Sequence, residues 1–324
     1  MMKNLKYFPL LLLISAGTTV FAQHTDMINS NRPGQSMSAF SVGKTVFQLE
    51  SGIYGIKEDH DKARYNSNGL GLDLDLRYGL LFEELEIIAN FKYQYDQFNA
   101  PLISENRSGF RTMVLGAKYL IYDPFKNYEE KPNIYSWKAN HRFKWRQFIP
   151  AVSVYAGMNI GVANDDFSFP NENTVSPKVM VIAQNHFGTS WVLITNIYYD
   201  KFTTEYSSLA YILTLTRGFN EKWSGFIENQ GIDGDYYADS IIRGGAAYLI
   251  RNNLQLDASI TTNFKDTPAI LYGGVGVSWR FDGEYEPIKI EIGDGEEKRA
   301  GKKKKKEKKE KEKESKKRLD EVEG

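Results

Sequence analysis

The tightest constraint on the fold is an alternation with period two in which one side is apolar and the other carries charge. Over residues 68–79, Leu70, Leu72, Leu74, Leu76 and Tyr78 fall on one side, and Gly69, Gly71, Asp73, Asp75, Arg77 and Gly79 on the other. Successive side chains of a strand point to opposite faces of its sheet. Residues 272–281, YGGVGVSWRF, repeat the pattern. There Val275, Val277, Trp279 and Phe281 oppose Gly274, Gly276, Ser278 and Arg280. Such strands suit a soluble sandwich, with the apolar side on a core, or a membrane barrel, with the apolar side in lipid and the polar side in the lumen. In a barrel, two carboxylates and a guanidinium on one face belong in a wet interior, where Arg77 can pair with Asp75 or a neighbour. The terminal aromatic favours the barrel. Outer-membrane barrels commonly close with a strand ending in Phe or Trp, so Val275, Val277, Trp279 and Phe281 form a candidate barrel-closing signal. The barrel assembly machinery and outer-membrane lipid are then expected partners.

The same period predicts strands over 44–54, 68–79, 84–95, 110–121, 148–161 and 176–186, and again over 190–199, 207–217, 222–231, 240–250, 254–263 and 272–281. Twelve is even, which puts both ends of the chain on one side, as single-chain bacterial barrels require. Closure also removes sheet edges that lipid could not satisfy. Connections after even strands are mostly short. Polar stretches at 55–67, 96–109 and 162–174 read as external loops. Residues 122–147 are long for a periplasmic turn and leave room for a short helix or hairpin, so the count is open by two strands there. The expected fold is an all-β transmembrane antiparallel β-barrel of about 12 strands. Aromatic content of 14%, with 20 Tyr and 19 Phe, fits interfacial girdles.

The ends differ from this middle. Residues 1–22 read as a secretory signal: Lys3 and Lys6 precede a short apolar run, and Val20 and Ala22 precede the cut. Residues 23–43 lack periodicity, carry the turn Asn31-Arg32-Pro33-Gly34, and read as a periplasmic or plug segment. The barrel spans 44–281. Residues 282–324 form a periplasmic tail, Lys/Glu-rich and disordered from about 296. The net charge of zero conceals a body of −7 over 23–301 and a tail of +8 over 302–318. Such a charge block stays solvated or binds an anionic surface such as peptidoglycan. Nucleic acid has the right charge but the wrong compartment for an exported chain.

No cysteine occurs, which excludes disulfides, thiolate metal sites and a cysteine nucleophile. His24, His60, His141 and His186 show no metal-ligand spacing and no His-x-Ser. No catalytic residue, metal or cofactor is expected, and the chain does not read as an enzyme. Candidate pore-lining residues are Glu50, Asp73, Asp75, Arg77, Lys92, Lys118, Glu228, Arg243, Asp257 and Arg280. Opposed charges in a narrow lumen select solutes by size and charge. The same charges can instead pair with one another and fill the lumen.

Residues 31–36 (NRPGQS), 40–44 (FSVGK) and 47–52 (FQLESG), with 247–257 and the closing GVSWRF, resemble the phenol-degradation meta-pathway (MetA) outer-membrane family, often called simply "transporter". The resemblance covers roughly 31–281 and leaves out the tail. It implies a Gram-negative outer-membrane barrel that passes small, often aromatic or apolar, compounds. The expected function is a porin-like channel for small-molecule solutes by passive or facilitated diffusion. The alternative is a structural barrel whose basic tail contacts the cell wall.

Overall fold

The computed structural model describes residues 27–126, 145–162, 165–168, 174–188 and 190–282. The expected signal segment, most of 122–147 and the whole Lys/Glu-rich tail lie outside the described residues.

Twelve strands close into one antiparallel barrel. They are β1 (Phe47–His60), β2 (Tyr65–Gly79), β3 (Leu85–Ala100), β4 (Ile103–Tyr122), β5 (Ala151–Ile160) and β6 (Val175–Phe187). The chain continues through β7 (Trp191–Asp200), β8 (Ser208–Gly218), β9 (Trp223–Gly234), β10 (Asp239–Arg251), β11 (Leu254–Asn263) and β12 (Ala269–Phe281). Each strand pairs with its sequence neighbours, and β12 returns to β1 with Phe47 opposite Phe281 and Glu50 opposite Ser278. Within the stretch 122–147 and its far flank, a single 3₁₀ turn at Trp145–Phe148 is described.

The outer face is apolar. Ile53, Leu72, Leu115, Val181, Ile197, Leu213, Ile227, Ile260 and Val275 all project outward and are exposed. Aromatics collect near both rims. Phe47 packs on Phe281 at 5.9 Å and Trp223 on Tyr248 at 4.8 Å at the end where β1 begins and β12 ends. Tyr93 and Phe110 meet edge to face at 5.3 Å toward the far end. An apolar belt between aromatic girdles is what a barrel presents to a bilayer. A charge at its middle therefore has nowhere to go. Leu72→Arg is expected to cost about 2–4 kcal/mol of folding free energy, read as the shift in denaturant midpoint during folding into vesicles. The same change at Asn68, where the outer face is already polar, is expected to move the midpoint little.

Two boundaries differ from the sequence expectation. The presumed external loops at 55–67 and 96–109 are mostly strand: β1–β2 pairing runs to His60 opposite Tyr65, and β3–β4 pairing to Ala100 opposite Ile103. The outward side chains there are Lys57, Asp59, Asn66, Asn68, Gln97, Asn99, Ser104 and Asn106. Beyond the apolar belt both faces are wet, so the alternation vanishes while backbone pairing continues.

The interior is two-sided. From β9 through β12 and β1 to β3 it is mainly polar and charged. From β4 to β8 it carries a buried apolar cluster, including Val114, Leu120, Tyr155, Met180, Ile182, Tyr198 and Ile212, against which Met37, Ala39 and Phe40 of the N-terminal segment pack.

Candidate functional site

Residues 27–46 form no helix or strand and cross the lumen near the end of the barrel where β1 begins and β12 ends. Buried backbone needs hydrogen-bond partners, and here wall side chains supply them. Glu50 accepts from Ser30 Oγ (2.9 Å) and from the amides of Asn31 and Arg32, each at 3.1 Å. Glu228 accepts from the amides of Gln35 (3.0 Å) and Ser36 (3.2 Å). Asn196 grips Met37 at both ends, taking its amide at 2.6 Å and donating to its carbonyl at 3.0 Å. Gln184 takes the Ala39 amide, Lys118 donates to the carbonyls of Ser38 and Phe40, and Ser153 donates to that of Ala39. Gln48 and Arg77 donate to the Asn29 carbonyl, and Arg280 to that of Met27. The barrel wall thus stands in for a partner strand.

Arg32 sits at the centre of this arrangement. Its guanidinium forks onto Asp257, with Nη2 to Oδ1 at 3.1 Å and Nε to Oδ2 at 3.3 Å, and lies 3.6 Å from Asp73. It rests on Gly52 and Gly276, where any Cβ would overlap it. These four wall positions are one continuous row across four strands: Asp73 opposite Gly52, Gly52 opposite Gly276, and Gly276 opposite Asp257. Burial disfavours the Arg32 charge, but Asp257 and then Asp73 more than offset it and hold its pKa above the ordinary arginine value. Gly52→Val is therefore expected to unseat Arg32 and lower thermal stability, while Gly273→Val, where a Cβ meets nothing, leaves the melting midpoint unchanged.

Below this row, Arg77 bridges Glu50 (2.9 Å) and Glu86 (2.5 Å), and Lys118 reaches Glu86 at 3.1 Å. All four side chains are fully buried. Arg77 therefore pairs across to β1 and β3, while Asp75 takes a hydrogen bond from Asn90 at 2.8 Å.

The ten charged residues that alternation places on inward faces all point into the interior, but they have different jobs. Glu50, Arg77, Lys118, Glu228 and Arg280 hold the N-terminal segment directly, and Asp257 and Asp73 hold Arg32. Arg243 braces Glu228 at 2.8 Å, and Lys92 Nζ donates to Gln35 Oε1 at 2.5 Å. Sequence reasoning missed Asn196, Gln184 and Ser153, since single polar residues on mixed strands carry no pattern. It also missed the inward apolar side chains. Their signal was the unbroken run Val179-Met180-Val181-Ile182-Ala183, which marks a strand apolar on both faces.

The segment divides the lumen. Toward the far end lies a cavity of about 670 Å³, with Arg32, Pro33 and Gln35 as floor and Tyr54, Asp73, Lys92, Arg243 and Tyr272 among its walls. It merges with a second of about 730 Å³, sharing Glu58, Tyr65, Arg111, Tyr236 and Tyr237. A β-bulge places Arg111 here: Lys92 pairs with Thr112 but Tyr93 with Phe110, which leaves Arg111 extra. Arg111 donates to Gln94 at 2.8 Å and Glu58 at 3.1 Å, and Tyr272 also donates to Glu58. In the β9–β10 connection, burial and then the hydrogen bond to Asp239 raise the Tyr237 pKa, so its phenol stays neutral. On the other side of the segment a cavity of about 160 Å³ lies against Thr214, Ser224, Phe226 and Gln255. Arg32 and Pro33 border both compartments.

A family model described as "Putative MetA-pathway of phenol degradation" matches residues 30–281. No curated protein matches the sequence. Among solved structures the chain is similar to an outer membrane channel from Pseudomonas putida F1, at 12% identity over 78% of this chain and 100% of that one, with a TM-score of 0.49. It is similar to the translocator domain of the autotransporter NalP from Neisseria meningitidis, at 10% identity over 78% and 90% of the chains and a TM-score of 0.45. It is also similar to the P. putida toluene transporter TodX, at 8% identity over 74% and 90% and a TM-score of 0.41.

Proposed function

The chain belongs to this family, and from that premise we propose that it is a channel of a Gram-negative outer membrane for small solutes. Aromatic or apolar compounds are the proposed solute class, moving by passive or facilitated diffusion. The observation that carries this reading is the division of one lumen into compartments toward opposite ends, with Arg32 and Pro33 bordering both. A barrel built only as an anchor has no use for a large tyrosine-lined cavity above such a partition. The ten inward charged residues act in this scheme less as an open pore lining than as the fittings of a plug. Tyr54, Tyr65, Tyr236, Tyr237 and Tyr272 offer ring faces to an aromatic or apolar solute in the cavity. The termini lie in the periplasm, so the large cavities open outward. The closing strand with Val275, Val277, Trp279 and Phe281 meets the assembly machinery.

Passage requires the segment to yield. The chain's lack of cysteine makes this testable with one engineered bridge. Ser30 Oγ and Ser278 Oγ are 2.7 Å apart, close to the reach of a disulfide between residues at those positions. In liposomes carrying the mature Ser30→Cys/Ser278→Cys protein, entry of small aromatics and small sugars is expected to fall to the lipid-only rate when oxidised and to recover on reduction. Equal entry in both states would show that solutes do not pass the segment. No entry of any solute into liposomes carrying folded, cysteine-free protein would remove the channel itself.

A further inference from the structure

The seat of Arg32 is built like a ligand site. Two carboxylates flank two glycines in one row, and the missing β-carbons make room for a planar cation. Asp257 is fully buried, and Asp73 Oδ1 is buried and makes no hydrogen bond among the described residues, so acceptor capacity remains unused. Arg32, Asp73 and Gly274 also border the outer cavity, beside the Tyr54 and Tyr272 rings that lie 6.2 Å apart. Aromatic faces next to carboxylates favour organic cations.

We propose that the row Asp73–Gly52–Gly276–Asp257 is a binding site for a guanidinium or primary ammonium group, held by Arg32 in the closed barrel and taken over by a solute's cationic group when residues 31–36 withdraw. The physical requirement is charge compensation. If Arg32 leaves alone, two inward carboxylates lose their cation, and that state is strongly disfavoured. A cation arriving from the outer cavity removes the penalty and lets the turn move. One native group competes for half of the site. Lys92 stands opposite Asp73 in the β2–β3 ladder and is held by Gln35, a residue of the same turn, so withdrawal frees it to reach Asp73. Asp257 has no such substitute, since its ladder neighbours are Ala247 and Gly276. Asp257 is therefore the carboxylate that selects the solute. This inference rests on the channel reading for its effect on flow, but not for the binding itself. It narrows the solute class to amines and guanidines with an aromatic or apolar body.

The test is to refill an emptied seat. Methylguanidinium titrated calorimetrically into detergent-folded Arg32→Ala protein at constant ionic strength is expected to bind with a dissociation constant on the order of 1–10 mM. Binding should weaken at least about tenfold in Arg32→Ala/Asp257→Asn, the factor that about 1.4 kcal/mol corresponds to. Tetramethylammonium, which cannot donate hydrogen bonds, should bind neither. Absence of saturable binding to folded Arg32→Ala protein, or equal binding after Asp257→Asn, overturns the proposal. If Arg32→Ala does not fold, the wild-type barrel serves: methylguanidinium should raise its conductance in a concentration-dependent way that Asp257→Asn abolishes, and no such rise overturns the proposal. Binding without permeation of any solute would retain the site and remove the channel. Permeation without binding would do the reverse.

Discussion

Deletion of residues 27–42 is expected to turn an occluded barrel into an open pore, with single-channel conductance rising on the order of tenfold once the lumen of a twelve-stranded barrel rather than its plug limits flow. The barrel itself should survive. Its strands pair only with one another, and none of the ladders uses a residue of the deleted segment. The wall groups that lose partners, chiefly Glu50, Glu228, Asn196 and Gln184, face the lumen, where the water that fills the emptied space replaces the lost donors and acceptors and hydrates Asp73 and Asp257, which lose Arg32. The apolar cluster on β4–β8 loses Met37, Ala39 and Phe40 and is left facing water, so some stability is lost. Planar-bilayer recording of the deleted and full-length proteins, both shown to be folded by heat-modifiable gel mobility, decides the matter. An unchanged conductance would mean that the route does not run past the segment, and the plug would have no part in passage.

Replacing Arg77 by Met is expected to destabilise the barrel by about 3–5 kcal/mol, the usual cost of removing one partner from a buried ion pair. Arg77 has no exposed surface and serves two fully buried carboxylates, Glu50 and Glu86. Glu86 keeps Lys118 at 3.1 Å after the change, but Glu50 keeps no cation and must still hold the amides of residues 31 and 32. The double change Arg77→Met/Glu50→Gln removes both charges and leaves Glu86 with Lys118. It should therefore be more stable than Arg77→Met alone, a coupling that a double-mutant cycle isolates. Urea midpoints for the four proteins in vesicles are the measurement. A double variant less stable than the single would show that Glu50 does not need a cation and that the network acts by packing alone.

Much of the wall was legible in the sequence. β11 occupies the residues 254–263 that alternation marks, and most other strands shift by a few residues at each end. The reason is that lipid on one side and water on the other force a contrast between alternate residues. Where that contrast fails, so does the reading. The far ends of β1 to β4 are wet on both faces and looked like loops. In the middle of β6 both faces are apolar, so the run 179–183 marks a buried strand but alternation does not show that Met180 and Ile182 are the residues pointing inward.

The sequence by itself determined the antiparallel barrel of about twelve strands and the alternation of its last strand, because these follow from local period and the medium on each side. Only the tertiary structure decided what the charged residues do. Asp73, Gly52, Gly276 and Asp257 come from four strands at both ends of the chain, and they form one row only because β12 closes on β1 in a single register. Arg32 lies in a segment without periodicity, and its seat exists only once that row is assembled. Contacts between residues more than 200 positions apart depend on closure and register, which alternation does not encode.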